Sequence, residues 1–222
     1  MIPAAIVIEP AAVTNRARSP DRAWTANCLE FAVLTLFLGL VIFLGTHSIG
    51  IVAPAWRDRV KSVWGTNRWR TLYSILSAIG FVLLLYGFAQ ARQHPIIWYA
   101  PSHLLRSVAR ILMVPVLPLV LAAYLPGRIQ HAAKHPLLAA VKLWAFAHLL
   151  ANGTAADVVL FGSFLIWAVA DRIALKRHPK PMGSTLPVSK WNDFIAVAAG
   201  LLLYVWMLEW LHLHLLGVSP LA

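Results

Sequence analysis

Long apolar runs, separated by short polar or basic stretches, dominate the pattern of this chain. A helix needs about 20 mostly apolar residues to cross the hydrocarbon core of a bilayer. The pattern therefore predicts an all-α, polytopic membrane helix bundle of about six transmembrane helices. The predicted spans lie near residues 30–53, 69–91, 103–125, 132–151, 155–173 and 193–216. We expect residues 1–28 to form a disordered or loosely ordered N-terminal tail, residues 29–217 the transmembrane domain, and residues 218–222 a C-terminal tail.

The junction between the predicted fourth and fifth spans contains Asn152-Gly153-Thr154. Gly153 suits the left-handed position just past a helix end. Thr154, with Asp157 three residues later, matches a capping box that starts the next helix. The sequence therefore predicts a tight turn with Gly153 at positive φ, and Asp157 is interpreted as a helix cap rather than a functional carboxylate.

The composition agrees with a membrane protein, because 60% of the residues are hydrophobic and 12% are charged. Soluble domains carry roughly 25% charged residues. The only cysteine, Cys28, excludes an intrachain disulfide.

The net charge of +11 does not indicate nucleic-acid binding, because the basic residues cluster between apolar spans. Twelve lie after the first, third and fifth spans: Arg57, Arg59, Lys61, Arg68, Arg70, Arg128, Lys134, Arg172, Lys176, Arg177, Lys180 and Lys190. The opposite side has five: Arg16, Arg18, Arg22, Arg92 and Arg106. Positive charge favours the cytoplasmic side, so we predict that both termini lie outside the cytoplasm, with the lipid bilayer as the first partner. If the cell is bacterial, this corresponds to an inner-membrane protein with both termini in the periplasm.

Two histidines, His47 and His148, lie deep in apolar spans, where an ionisable group is a candidate for function. Their distances along the helices from Arg57 and Lys134, about 15 and 21 Å, suggest similar depths. Trp144, His148 and Asn152 share one helix face at i, i+4, i+8 spacing. Two facing neutral imidazoles can hold a haem iron from both sides. The alternative is that each histidine only hydrogen-bonds a hydroxyl or carbonyl of a neighbouring helix.

The remaining histidines give weaker metal patterns. His131 and His135 are four residues apart, but no third ligand accompanies them, so a zinc site is disfavoured. Glu209 and His212 form one E-x-x-H step, which di-iron bundles use in pairs. The chain has too few glutamates for a second copy, so a di-iron centre is also disfavoured.

Four segments resemble the NnrU family of bacterial membrane proteins over about residues 36–216: FLGTHSIGIVAPAWR, GTNRWRTLYSILSAIGFVLLLYGFAQAR, AYLPGRIQHAAKHPLLAAVKLWAFAHLLANG and LFGSFLIWAVADRIALKR. That family is associated with denitrification, in nitrite and nitric oxide reduction. It is also related to 15-cis-zeta-carotene isomerase, a membrane enzyme that uses haem b. In that relative, two histidines are thought to ligate the iron, and they match His47 and His148 here.

The resemblance implies three functional hypotheses. In the first, haem b binds between transmembrane helices at His47 and His148, beside Trp144 and Asn152. The protein then supports nitrite and nitric oxide reduction. Another membrane complex of nitrogen-oxide metabolism would be its partner. The second is an isomerase-like enzyme, and the third is a cofactor-free membrane assembly or accessory factor. A transporter is disfavoured, because no internal repeat is visible.

Overall fold

The computed structural model describes residues 20–177 and 186–221, with side chains from residue 30 onward. Within these residues all named elements are helical, and one isolated β-bridge joins Ile97 to Thr154. The predicted all-α helix bundle is confirmed. The elements are α1 (Pro20–Val52), α2 (Pro54–Trp64), α3 (Thr66–Ala91), α4 (His103–Met113), α5 (Val116–Ala122), α6 (Arg128–Ala133), α7 (Pro136–Ala151), α8 (Ala155–Arg177), α9 (Lys190–Trp206), a π-helical turn (Met207–Leu211) and α10 (His212–Leu216).

Two sequence-based predictions fall partly outside the described range. Of the tail predicted at residues 1–28, residues 1–19 lie outside it, and α1 begins at Pro20. Residues 178–185 of the basic connection after the fifth span also lie outside it, including His178 and Lys180.

Five stretches are long and apolar enough to cross a membrane: Glu30–Val52, Thr66–Ala91, His103–Ala122, Ala155–Arg177 and Lys190–Leu216. They correspond to five of the six predicted spans and define a multi-pass membrane protein. Outward-facing side chains such as Ile166 and Leu202, 73% and 72% exposed, suit contact with lipid rather than water. The third span is interrupted between α4 and α5 at Pro115, since proline lacks the N–H that a continuous helix needs.

The fourth predicted span is shorter than expected. It was predicted over residues 132–151, but α7 covers Pro136–Ala151, 16 residues, or about 24 Å against a core of about 30 Å. The chain leaves helical geometry at Lys134, with φ 59°, and at His135, with φ −136°. Pro136 explains the late start, because a residue before proline avoids the helical region while proline itself is well suited to a first helical turn.

The helices α1 and α3 form the most extensive pair, held together by glycines. A Cβ added to Gly80 would come within 2.7 Å of the Phe43 nitrogen, and one added to Gly87 within 2.7 Å of the Leu36 Cα. Small residues let two transmembrane backbones approach this closely. The register of α1 against α3 is therefore fixed by backbone contact.

One core joins α1, α3, α7 and α8. Its buried members are Leu36, Leu40, Leu84, Ala145, Leu160 and Phe161. The helices α7 and α8 form an antiparallel hairpin, and His135 at the start of α7 lies beside Asp171 and Arg172 near the end of α8. On the other side of α7, α5 packs against α9, where Gly200 leaves room for Pro118. Both candidate histidines belong to helices that pack on α8.

Candidate functional site

His47 lies on α1, about two turns after Leu40, and is partly buried. Its Nδ1 is 2.7 Å from the carbonyl oxygen of Phe43, one turn earlier. Aromatic rings surround the imidazole, with centroids 4.3 Å away for Phe43, 5.3 Å for Tyr73 and 6.0 Å for Trp167. Three helices, α1, α3 and α8, thus contribute to the surroundings of His47.

His148 lies on α7 in a similar local arrangement. Its Nδ1 is 2.8 Å from the carbonyl oxygen of Trp144, again one turn earlier. The Phe161 ring of α8 stacks on the imidazole at 4.5 Å, and the Trp144 ring lies 5.3 Å away. The predicted neighbour Trp144 is therefore in contact with His148.

The hydrogen bonds fix the tautomer of both histidines in the neutral state. A carbonyl oxygen can only accept, so each Nδ1 carries the proton, and each Nε2 keeps a free lone pair. Neither Nε2 has a hydrogen-bond partner among the described residues. The acceptors are carbonyls of the same helix, whereas the alternative to haem ligation expected each histidine to bond a neighbouring helix.

The two histidines contact α8 at different levels. His47 lies beside Trp167 and His148 beside Phe161, and the six residues between these contacts correspond to about 9 Å of helix rise. The sequence suggested similar depths. Between the two levels, the Phe164 ring contacts Phe43 at 5.8 Å and Trp144 at 5.4 Å. One aromatic cluster therefore connects both histidines, with Phe164 between α1 and α7.

Asn152 does not bond the His148 ring. Its Nδ2 donates to the backbone carbonyl of His148 at 3.0 Å, at the end of α7. Asn152 has an extended backbone, with φ −128° and ψ 135°. Asn152 directly follows the last residue of α7, so the predicted helix face that it shares with Trp144 and His148 ends there.

The predicted turn and capping box are present at the junction of α7 and α8. The Thr154 hydroxyl donates to the Asp157 carboxylate at 2.6 Å, and the Asp157 N–H donates to the Thr154 hydroxyl oxygen at 3.2 Å. The left-handed conformation predicted for Gly153 is wrong, because the described positive-φ glycines are Gly65 and Gly217. Instead, position 153 needs a glycine because the backbone of Tyr99 passes close to it. A Cβ on this residue would overlap the carbonyl oxygen of Tyr99.

A segment from the connection before α4, Ile96–Tyr99, covers this turn, and we call it the strap. The Trp98 N–H donates to the Gly153 carbonyl at 2.8 Å, and the Ala155 N–H donates to the Ile96 carbonyl at 2.8 Å. The Tyr99 hydroxyl contacts the Leu149 carbonyl and lies 2.6 Å from that of Asn152. Burial and the Asp157 carboxylate raise the pKa of the Tyr99 hydroxyl, so it keeps the proton that it donates. The strap closes the bundle one turn beyond His148.

Two buried polar atoms near His47 have no partner among the described residues: the Trp167 Nε1 and the Ser77 Oγ. Trp167 contacts the His47 ring, and Ser77 lies one turn from Tyr73 on α3. The site residues predicted from sequence did not include Phe161, Phe164 or Trp167. These aromatic residues recur every three positions along one span, and this spacing on one helix face could have identified them.

The weaker metal patterns gain no support from the geometry. Among the described residues, no group of three or more His, Cys, Asp or Glu side chains is arranged to hold a metal ion. His212 bonds the Val218 carbonyl through Nδ1 at 2.7 Å, and Glu209 lies in the π-helical turn.

The residues around His47 and His148 fit a haem in their chemistry. The site offers two neutral imidazoles whose Nε2 atoms have no hydrogen-bond partner among the described residues, and an axial histidine ligand needs such a lone pair. Aromatic rings contact both imidazoles. The unpartnered Trp167 N–H beside His47 offers a donor for a polar group of such a ligand. The Phe164 ring lies between the two histidine-bearing helices, so binding through both requires that ring to move.

The five long apolar stretches define a multi-pass α-helical membrane protein, and the two partly buried histidines with their aromatic neighbours define its candidate site. A model of one family, described as NnrU protein, matches residues 35–220. The chain belongs to the NnrU family, as its resemblance predicted. No curated protein and no solved structure is similar enough to this chain to count as a match.

Proposed function

We propose that this NnrU family protein binds haem b between α1, α7 and α8, with His47 and His148 as the iron ligands. The observation that carries the proposal is the shared tautomer: both Nδ1 atoms donate to a carbonyl one turn earlier, which leaves both Nε2 lone pairs free. A hydrogen bond from the other ring nitrogen is what orients a metal-binding histidine. Haem b would supply a redox-active iron.

The direction of the two side chains supports the same arrangement. On a helix, the Cα–Cβ bonds tilt toward the N-terminus. The helices α1 and α7 run in opposite directions, so His47 and His148 lean toward each other from their two levels on α8. The carbonyls that they bond belong to Phe43 and Trp144, and both of these residues contact Phe164. The space around Phe164 is therefore where the two Nε2 atoms can approach one ligand.

The test is an absorption spectrum of the detergent-purified protein from haem-replete cells, oxidised and reduced. We expect a Soret band that is lost or shifted in His47→Ala and in His148→Ala. His214→Ala is the matched control, because its Nδ1 also bonds a tryptophan carbonyl one turn earlier, at 2.8 Å, and its ring stacks on that tryptophan, yet it is exposed. His131→Ala is a second control on an exposed residue. A colourless wild-type protein would refute haem binding and favour the cofactor-free accessory factor.

We further propose that the protein supports nitrite and nitric oxide reduction together with another membrane complex. Membership in the NnrU family, and that family's association with denitrification, support this role. Disruption of the gene in a denitrifying host should cause nitrite or nitric oxide to accumulate during anaerobic growth, and complementation by His148→Ala should fail. Unchanged nitrogen-oxide turnover together with an altered carotenoid isomer profile would instead favour the isomerase-like alternative.

For location, we propose the bacterial inner membrane with both termini in the periplasm. The charge asymmetry supports this, because twelve of the 19 Lys and Arg residues belong to one side of the predicted topology. They lie in α2, at the start of α3, after α5, and from the end of α8 to the start of α9. A C-terminal alkaline phosphatase fusion should be active. A C-terminal fusion to a fluorescent protein that matures only in the cytoplasm should not fluoresce. Fluorescence of this fusion would contradict the orientation.

A further inference from the structure

A cavity of about 430 Å³ lies outside the histidine site, at the end of the bundle where α5 leads into α6. Its lining residues are Pro126, Gly127, Arg128, Gln130, His131 and Val188. The third span ends at Ala122 and α7 begins at Pro136. The cavity therefore lies at the membrane boundary, on the side that carries the basic connections.

The walls of the cavity are held by the start of α9. The Asp193 carboxylate accepts the backbone N–H groups of Arg128 and Ile129, at 2.9 and 3.0 Å. The Asn192 Nδ2 donates to the Pro126 carbonyl at 2.8 Å. Because two separate spans are tied across it, the cavity is a built feature of the fold rather than a gap beside a loose loop.

The polar groups that remain available are basic. The Arg128 guanidinium and the His131 imidazole make no hydrogen bond or ion pair within residues 20–177 and 186–221. The Gln130 Nε2 already donates to the Ala123 carbonyl at 3.1 Å. Asp193 is the acidic group facing this region, and its two oxygens are occupied by the α6 backbone. The rim therefore offers two cationic or donor side chains to an anion.

We propose that this cavity binds the phosphate headgroup of an anionic membrane phospholipid, with the phosphate at Arg128 and His131. The wall between them is largely carbon, from Pro126 and Val188, and proline has no N–H to offer. A free inorganic anion would leave this carbon-rich surface uncovered, whereas the glycerol and upper acyl chain of a lipid would cover it. The position at the end of a span places a headgroup there, and basic side chains at such a level attract anionic lipid.

The experiment measures lipid retained by the full-length protein with native mass spectrometry, after exchange into mixed vesicles of phosphatidylglycerol and phosphatidylcholine. The wild type should retain phosphatidylglycerol preferentially. The double variant Arg128→Gln/His131→Gln should lose at least about fivefold of that preference, which is the effect of removing one arginine near the membrane surface. Lys61→Gln, a basic residue of α2 on the same side, is the matched control and should behave as wild type.

Three results would overturn the assignment. They are equal retention of the two lipids by the wild type, an unchanged preference in the double variant, and displacement of the lipid by millimolar inorganic phosphate, which would identify a free-anion site instead. The wild-type comparison and the phosphate competition need no variant, so they hold even if the double variant folds poorly. Arg128→Lys, which keeps the charge, should retain most of the preference.

Discussion

Replacing Gly153 by alanine tests the contact between the strap and the α7–α8 turn. A Cβ at this position would overlap the Tyr99 carbonyl oxygen, which belongs to backbone and cannot swing aside like a side chain. The strap must therefore shift away from the turn. Gly153 does not have positive φ, so the effect arises from this overlap and not from backbone conformation.

The cost can be worked from the bonds that join the strap to the turn. Displacement removes the Trp98–Gly153 and Ala155–Ile96 backbone hydrogen bonds, both 2.8 Å, and strains the Tyr99 hydroxyl contact with Asn152 at 2.6 Å. At a net value of about 1 kcal/mol for each bond, Gly153→Ala should cost about 2–3 kcal/mol. In a chain of this size, each kcal/mol lowers Tm by about 2–4 °C, so the expected decrease in Tm is roughly 4–12 °C.

The assay is thermal unfolding of the detergent-purified protein, followed by tryptophan fluorescence. Gly162→Ala is the matched control, because a Cβ on this glycine within α8 meets nothing within 4 Å. Alanine should stabilise that helix by about 0.5–1 kcal/mol. A Tm for Gly153→Ala equal to or above that of the wild type would refute the close approach of strap and turn.

Three further predictions concern the cap, a histidine and the aromatic cluster. Asp157→Ala removes the capping box and should cost about 1 kcal/mol in the same unfolding assay, whereas an unchanged Tm would assign the carboxylate another role. Burial, followed by the charge of Arg172, lowers the pKa of His135 below its ordinary 6.5. Below pH 6.5 the folded protein therefore binds fewer protons than the unfolded chain. The free energy of unfolding should stay constant above pH 6.5 and decrease as the pH drops below it. A His135→Gln variant should show a flatter dependence of Tm on pH, and an equal slope would contradict this assignment. If haem binds at His47 and His148, Phe164→Ala should keep the Soret band and Phe164→Trp should weaken it, and the reverse order would place the haem elsewhere.

The local features of this fold follow from sequence, because the signals are local. Apolar runs locate the long spans, and the spacing of Thr154 and Asp157 predicts the capping box that the structure contains. The start of α7 is also a local effect, but the pattern of apolar residues alone placed it too early. Pro136 and the positive φ of Lys134 decide that boundary.

The features that the sequence did not reveal depend on contacts between distant residues. The need for glycine at position 153 arises from Tyr99, more than fifty residues earlier. The N-terminus of α6 is capped by Asp193, 65 residues after the first residue that it bonds. The levels of the two histidines depend on how α1 and α7 pair with α8. No local pattern carries the register of one transmembrane helix against another.

The geometry also indicates which part of the site can adapt. His148 belongs to a rigid unit, since the strap and Asn152 hold the last turn of α7. His47 belongs to another, because glycines lock α1 against α3 at backbone contact. Sliding either helix would break these contacts, so the distance between the two Nε2 atoms is adjusted most easily through side-chain rotation around α8. Phe164 is the ring that touches both units, and its volume is the variable that most directly controls what fits between the two histidines.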